Sequence, residues 1–118
     1  MADASAVNRP AFSEDQVVTV FRSRRRTDTA EAYLRLAGEI EAHARSTPGF
    51  VDFKTFAAED GERVSLVTFA SSEAHRTWRD DPRHRQAQRQ GREEFYEDYS
   101  IQVSNCVHVH QWESSGDG

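Results

Sequence analysis

Two stretches of the chain, residues 16–22 (QVVTVFR) and 63–70 (RVSLVTFA), are β-branched and aromatic and carry apolar residues on both parities. In the first, Val18 and Val20 fall on one face and Val17 and Phe21 on the other; in the second, Val64 and Leu66 oppose Val67 and Phe69. Side chains alternate across a strand, so strands of this kind need apolar cover on both faces. A sheet holding them at its centre must carry helices on one face and something equally apolar on the other.

The intervening pattern supplies the helices. Asp28-Thr29-Ala30-Glu31 reads as a capping box, with Asp28 as N-cap and Glu31 reaching back. A helix follows to about Ser46 on a stripe of Tyr33, Leu36, Ala37, Ile40 and Ala44, with His43 at its edge, and Thr47-Pro48-Gly49 stops it. Residues 50–57 (FVDFKTFA) form a strand, and the Asp60-Gly61 turn folds it back onto residues 63–70 as a hairpin. Ser71 or Ser72 caps a short helix through Trp78. Asp81 caps the next, with Pro82 at its first position, and that helix is predicted to run to about Glu97. Residues 99–112 are predicted as the last strand.

Strand, helix, strand, strand, helix, strand is the α+β, ferredoxin-like βαββαβ order, which places the two doubly apolar strands centrally in an antiparallel sheet. The helices cover one face. The other would expose Val and Phe over a patch larger than monomers tolerate, so the residue pattern implies a homodimer, sheet against sheet. Residues 1–15 read as a flexible arm, 16–112 as the domain, and 113–118 as a disordered tail.

Composition removes several alternatives. A chain of 118 residues builds one modest core. A net charge of −5 argues against a nucleic-acid binder, and a single cysteine permits no internal disulfide. No run is long enough to span a membrane, and the first residues lack the basic-then-apolar order of a signal peptide. The expectation is a cytoplasmic protein with neither nucleic-acid nor membrane partners.

The chemistry-bearing stretch is residues 78–99 (WRDDPRHRQAQRQGREEFYEDY), where His84, Gln88, Gly91 and Phe95 share one helical stripe. An imidazole and a carboxamide on a stripe that should be plain core point to the wall of a small-molecule pocket. Arg22, Arg24 and Arg26 continue one face of the first strand and read as a solvated strand end. Arg22, nearest the apolar part, is the one placed to reach into that pocket.

The series VVTVFRSRRR, the Tyr33 helix, TPGFVDFKTF, DGERVSLVTFAS and Trp78 followed by DDPRHRQAQRQGREEFYEDYSIQV resembles the antibiotic biosynthesis monooxygenase family over residues 16–112. It is more closely similar to the small bacterial members grouped with haem-degrading monooxygenases. The resemblance implies a dimeric α+β barrel with a pocket in each subunit between helices and sheet. Some members oxygenate polycyclic aromatics without metal or flavin, and others bind and open haem.

The haem-degrading branch uses an Asn on the first strand, a Trp closing the first short helix after the hairpin, and a His ten residues beyond it. Trp78 matches the Trp, but Gln88 falls at the ligand position and Phe21 or Arg22 at that of the Asn. Haem is therefore the alternative, and no cofactor the main expectation. Cofactor-free oxygenation needs a dry aromatic cavity, a base and a donor for the oxyanion. The residues assigned are His84 as base, Gln88 and Arg22 as donors, and Trp78, Tyr33, Phe53 and Phe95 as wall, around a small aromatic or polyketide-like molecule. The competing class is a non-catalytic ligand-binding or stress-associated dimer. Cys106, His108 and His110 alternate on the last strand and form a weak metal-site candidate, with His75 or His84 as a further ligand; a solvated or dimer-seam face is the simpler account.

Overall fold

The structure, a computed structural model, describes residues 9–27 and 30–114. Strand β1 (Val17–Arg25) is followed by α1 (Ala30–Ser46), β2 (Phe50–Ala57), β3 (Arg63–Phe69), α2 (Ser72–Arg79), α3 (Pro82–Gln90) and β4 (Tyr96–Asn105), with a π-helical turn at Gly91–Phe95 joining α3 to β4. The four strands form one antiparallel sheet in the order β2-β3-β1-β4, so the two doubly apolar strands are central. This is the ferredoxin-like α+β fold.

Register decides which side chains share a face. Thr19 pairs with Val67 and Val103, and Phe21 with Ser65 and Ile101, while Phe53 lies opposite Val67. Val67 and Phe69 of this set pack with Ala44 and Trp78 against the helices. The alternate set, with Val18, Val20, Val64, Leu66 and Phe56, turns away from every helix. Two clusters make the core. Tyr33, Leu36, Ala87 and Phe95 form one, Ala44, Val67, Phe69 and Trp78 the other, and Ile40 packs against both.

The local signals act through named contacts. Ser71 caps α2, its hydroxyl accepting from the Ala74 amide, and Asp81 caps α3, accepting from the Arg83 amide with Pro82 next in the chain. Gly49 and Gly61 hold positive φ, at 90° and 92°, where the α1–β2 turn and the hairpin turn require them. A Cβ on Gly49 would stand 2.6 Å from Ala74 Cβ, so glycine there also lets α2 approach the sheet.

Three expectations are revised. The helix predicted to run to Glu97 ends at Gln90, and the π-helical turn then brings the chain into β4 at Tyr96, ahead of the predicted start at Tyr99. The last strand ends at Asn105 rather than reaching residue 112, because β1, its only neighbour, has its first paired residue at Val17. The described part of the N-terminal arm is tied down: Asp15 N–H donates to the Cys106 carbonyl, Phe12 N–H to Gln111 Oε1, and Gln111 Nε2 to the Pro10 carbonyl. The Asp28 cap, residues 1–8 of the arm and residues 115–118 of the tail lie outside the described residues. No helix among the described residues is long and apolar enough to cross a membrane.

Candidate functional site

A cavity of about 380 Å³ lies between the helix-facing side of the sheet and the three helices, flanked by the two core clusters. That volume falls within the range of small-molecule sites. Its walls are largely aromatic and aliphatic: Phe21, Tyr33, Phe53, Trp78, Tyr96 and Tyr99 all contribute. β4 is an edge strand, and its cavity-lining Ile101 and Val103 are still 39% and 50% exposed, so the wall is thinnest there.

The chemical end is built by α2 and α3. Trp78, 4% exposed, packs on Phe69 with centroids 5.2 Å apart and on His84 at 4.2 Å. The sharp turn at Asp80-Asp81-Pro82 folds His84 back over Trp78. His43 on α1 ties down this turn, with Nε2 3.3 Å from Asp81 Oδ2. Asp81 is held at about 2, first by the Arg83 guanidinium and amide and more weakly by His43. His84, 8% exposed, is pushed down to about 4, first by burial and then by the charges of His43 and His75. Burial lowers His75 in the same direction. At neutral pH the His84 imidazole is therefore uncharged.

At the other end, Tyr96 stands where the π-helical turn meets β4. Its ring is enclosed by Phe21, Tyr33 and Tyr99, with centroids 5.5, 5.9 and 5.7 Å away. Burial and then Tyr33 raise its phenol well above the ordinary range, so it remains a donor and not a base. Arg63 lies over the Tyr33 ring at 5.6 Å.

Four buried side-chain atoms have no hydrogen-bond partner among the described residues: Thr19 Oγ1, Arg63 Nε, Trp78 Nε1 and His84 Nδ1. All four belong to residues lining this cavity. An unpaired buried polar group costs roughly 1–3 kcal/mol, and native proteins rarely leave several together. Each of these atoms is enclosed by the packed wall rather than exposed to the cavity space.

Of the residues singled out in the sequence, His84, Gln88, Trp78, Tyr33 and Phe53 line the cavity. Two others do not. Arg22 follows Val18 and Val20 onto the outer face, where Nε and Nη2 donate to Glu62 at 3.0 and 2.7 Å; it cannot be an oxyanion donor in this cavity. Phe95 is buried behind the wall with Tyr33, Leu36 and Ala87, since the π-helical turn carries it off the α3 stripe. Cys106 is half-buried and His108 and His110 are exposed, beyond the end of β4. No group of three His, Cys, Asp or Glu side chains able to hold a metal exists among the described residues. Sequence reasoning passes over Thr19, Arg63 and Tyr96. Parity could have found the first two: Thr19 lies between Val17 and Phe21, and Arg63 shares its parity with Val67.

The family profile described as antibiotic biosynthesis monooxygenase matches residues 16–90. The uncharacterized protein YqjZ of Bacillus subtilis (strain 168) is 25% identical over 91 residues, covering 77% of this chain and 80% of that one. Among solved structures, a point mutant of SnoaB, a cofactor-independent oxygenase from Streptomyces nogalater, superposes with a TM-score of 0.66 at 16% identity, covering 87% of this chain and 99% of that one. Protein SO0527 from Shewanella oneidensis gives 0.70 at 13% identity, covering 82% and 96%.

Proposed function

This chain belongs to the antibiotic biosynthesis monooxygenase family, and from that premise we propose that its cavity binds an aromatic or polyketide-like small molecule and oxidises it with molecular oxygen. The observation that carries the reading is an aromatic cavity of about 380 Å³ with His84 and Gln88 in its lining. The likeness to a cofactor-independent oxygenase supports a reaction whose electrons come from the substrate.

For an anthrone-type substrate the balance is simple. The neutral His84 accepts a proton from the acidic C–H or enol O–H, leaving an electron-rich enolate. The enolate reduces O2 and forms a C–O bond. Loss of water then leaves a quinone, with one oxygen atom retained and the other leaving as water. The Gln88 carboxamide is the donor for the enolate oxygen, and aromatic walls, Trp78 among them, exclude bulk water. An imidazole held at about 4 is a weak base in isolation. The enolate it creates offsets this by stabilising the imidazolium beside it.

That same depression favours a second reading, a ligand-binding protein without turnover, and oxygen uptake separates the two. With a panel of anthrones and hydroquinones, the oxygenase reading expects one O2 consumed per substrate oxidised. His84→Ala and Gln88→Ala are each expected to slow turnover about 10- to 1,000-fold. Uptake that neither substitution slows removes the site assignment, and no uptake with bound substrate favours simple binding. Haem fits poorly: Gln88 stands at the family's ligand position, and a carboxamide is not among the usual axial ligands of haem iron.

The outer face of the sheet carries Val18, Val20, Val64, Leu66 and Phe56, the last 47% exposed, and no helix among the described residues covers it. A second copy of the chain, sheet against sheet, is the proposed cover. The proposed compartment is the cytoplasm.

A further inference from the structure

Arg63 opens β3, and the alternation through Ser65 and Val67 puts it on the helix-facing side, in the cavity wall. Its Nε is buried without a hydrogen-bond partner among the described residues, and its guanidinium lies over the face of Tyr33. The acids that could neutralise it are engaged elsewhere. Glu62, its chain neighbour, accepts from Arg22 at 2.7 Å on the opposite face, and Asp60 accepts from Arg24 at 2.8 Å. Glu41, the only carboxylate among the lining residues, accepts from Arg45 at 2.8 Å. A guanidinium is always charged, so among the described residues the cavity holds a cation lacking a counter-charge.

At the opposite end the lining includes Arg79, whose charge Asp80 offsets at 3.0 Å. From Arg63 to Val67, which packs with Trp78, four strand residues span roughly 13 Å. One cavity thus has an unpaired cation beside Tyr33 and, at the other end, the Trp78 and His84 rings with a cation already paired. Outside, Arg79 and Gln88 also border a shallow groove with Arg85, Arg89 and Arg92, where Asp80 pairs with Arg79 and Arg85 and leaves the arginines in excess. An anion approaching that rim is attracted to it.

We propose that the cavity selects an aromatic carboxylate, its carboxylate paired with the Arg63 guanidinium and its far ring edge lying against Trp78 and His84. A fused bicyclic or tricyclic acid spans the two poles. Carboxylate and guanidinium form parallel N–H···O bonds, and the pairing removes the unpaired charge. A carboxamide of the same shape leaves the cation without a counter-charge. The inference rests on the cavity being a small-molecule site and does not require turnover.

The test is calorimetric titration of the full chain with anthracene-2-carboxylate and with anthracene-2-carboxamide. The acid is expected to bind about 10- to 100-fold more tightly than the amide, as a charge-assisted pair implies. Arg63→Gln is expected to abolish the preference, Arg63→Lys to restore part of it, and Arg22→Gln to leave it intact. Equal affinities on the unmodified protein overturn the proposal, whatever the variants do. So does failure of both probes to bind, or a preference that survives Arg63→Gln and disappears in Arg79→Gln. Oxygen uptake is read separately: an intact acid preference without uptake removes only the oxygenase reading, and uptake without a preference removes only the role of Arg63.

Discussion

His84 is the side chain on which chemistry and stability meet. Its folded pKa of about 4 lies below the ordinary 6.5, because burial disfavours the imidazolium. The native state therefore binds fewer protons than the unfolded chain between those values. The stability contributed by the neutral form is complete above pH 6.5 and is lost as pH falls toward 4. His75 acts in the same direction. The loss from His84 is on the order of 3 kcal/mol at most. Urea midpoints are expected to fall between about pH 7 and about pH 4.5 in the native protein and to be much flatter in His84→Gln. A flat profile in the native protein contradicts the buried, neutral imidazole. Asp81, held at about 2, gives its own loss only at lower pH, so the two windows are distinguishable. His84 and Gln88 are legible from helical spacing alone, because the stripe they lie on is continuous through α3; Trp78 lies on α2 and is matched by the family resemblance. Arg22 is not, although its parity is plain. It shares a face with Val18 and Val20, and nearness to apolar residues says nothing of which side of the sheet those residues face. Parity applied to β3 names Arg63.

At the scale of elements, the π-helical turn at Gly91–Phe95 decides where the aromatic end of the cavity stands. A Cβ on Gly91 would meet the Tyr96 ring at 2.6 and 2.9 Å, and that ring is boxed in by Phe21, Tyr33 and Tyr99. Gly91→Ala is therefore expected to destabilise by about 1–3 kcal/mol through overpacking and to alter the near-ultraviolet dichroism of the tyrosines. Thermal unfolding unchanged from the native protein contradicts this account of the turn. The caps and turns at Ser71, Asp81-Pro82, Gly49 and Asp60-Gly61 act as their local chemistry dictates, so most element boundaries can be read from sequence. The end of the last helix cannot. Nothing in GREEFYEDY breaks a helix by propensity. The change to strand comes from tertiary demand, as β4 pairs along β1 and the Tyr96 ring fills the space beside Gly91.

At the scale of the whole molecule, the helices among the described residues cover one face of the sheet and none of them covers the other. The helices and cavity take the side of Thr19, Phe21 and Val67; on the other side Val20 and Leu66 are half-buried and Phe56 is exposed. Analytical ultracentrifugation is expected to show a dimer for the native protein, and Leu66→Glu is expected to shift it to a single subunit by placing a charge in the seam. A native protein that remains a single subunit at high concentration contradicts the sheet-to-sheet pairing, although the cavity would survive that result. The double-sided pattern of the central strands carries both the fold and the need for a second layer. The identity of the guest is not legible in the sequence, because the groups that would recognise it come from β1, β3, α2, α3 and β4 together. The most direct measurement is a crystal structure of the protein with an anthrone analogue bound. The account predicts the ring system between sheet and helices, stacked near Trp78, with a polar atom within hydrogen-bond reach of the Gln88 carboxamide. Electron density for the ligand in the outer groove between α1 and α3, or on the sheet's outer face, would contradict it.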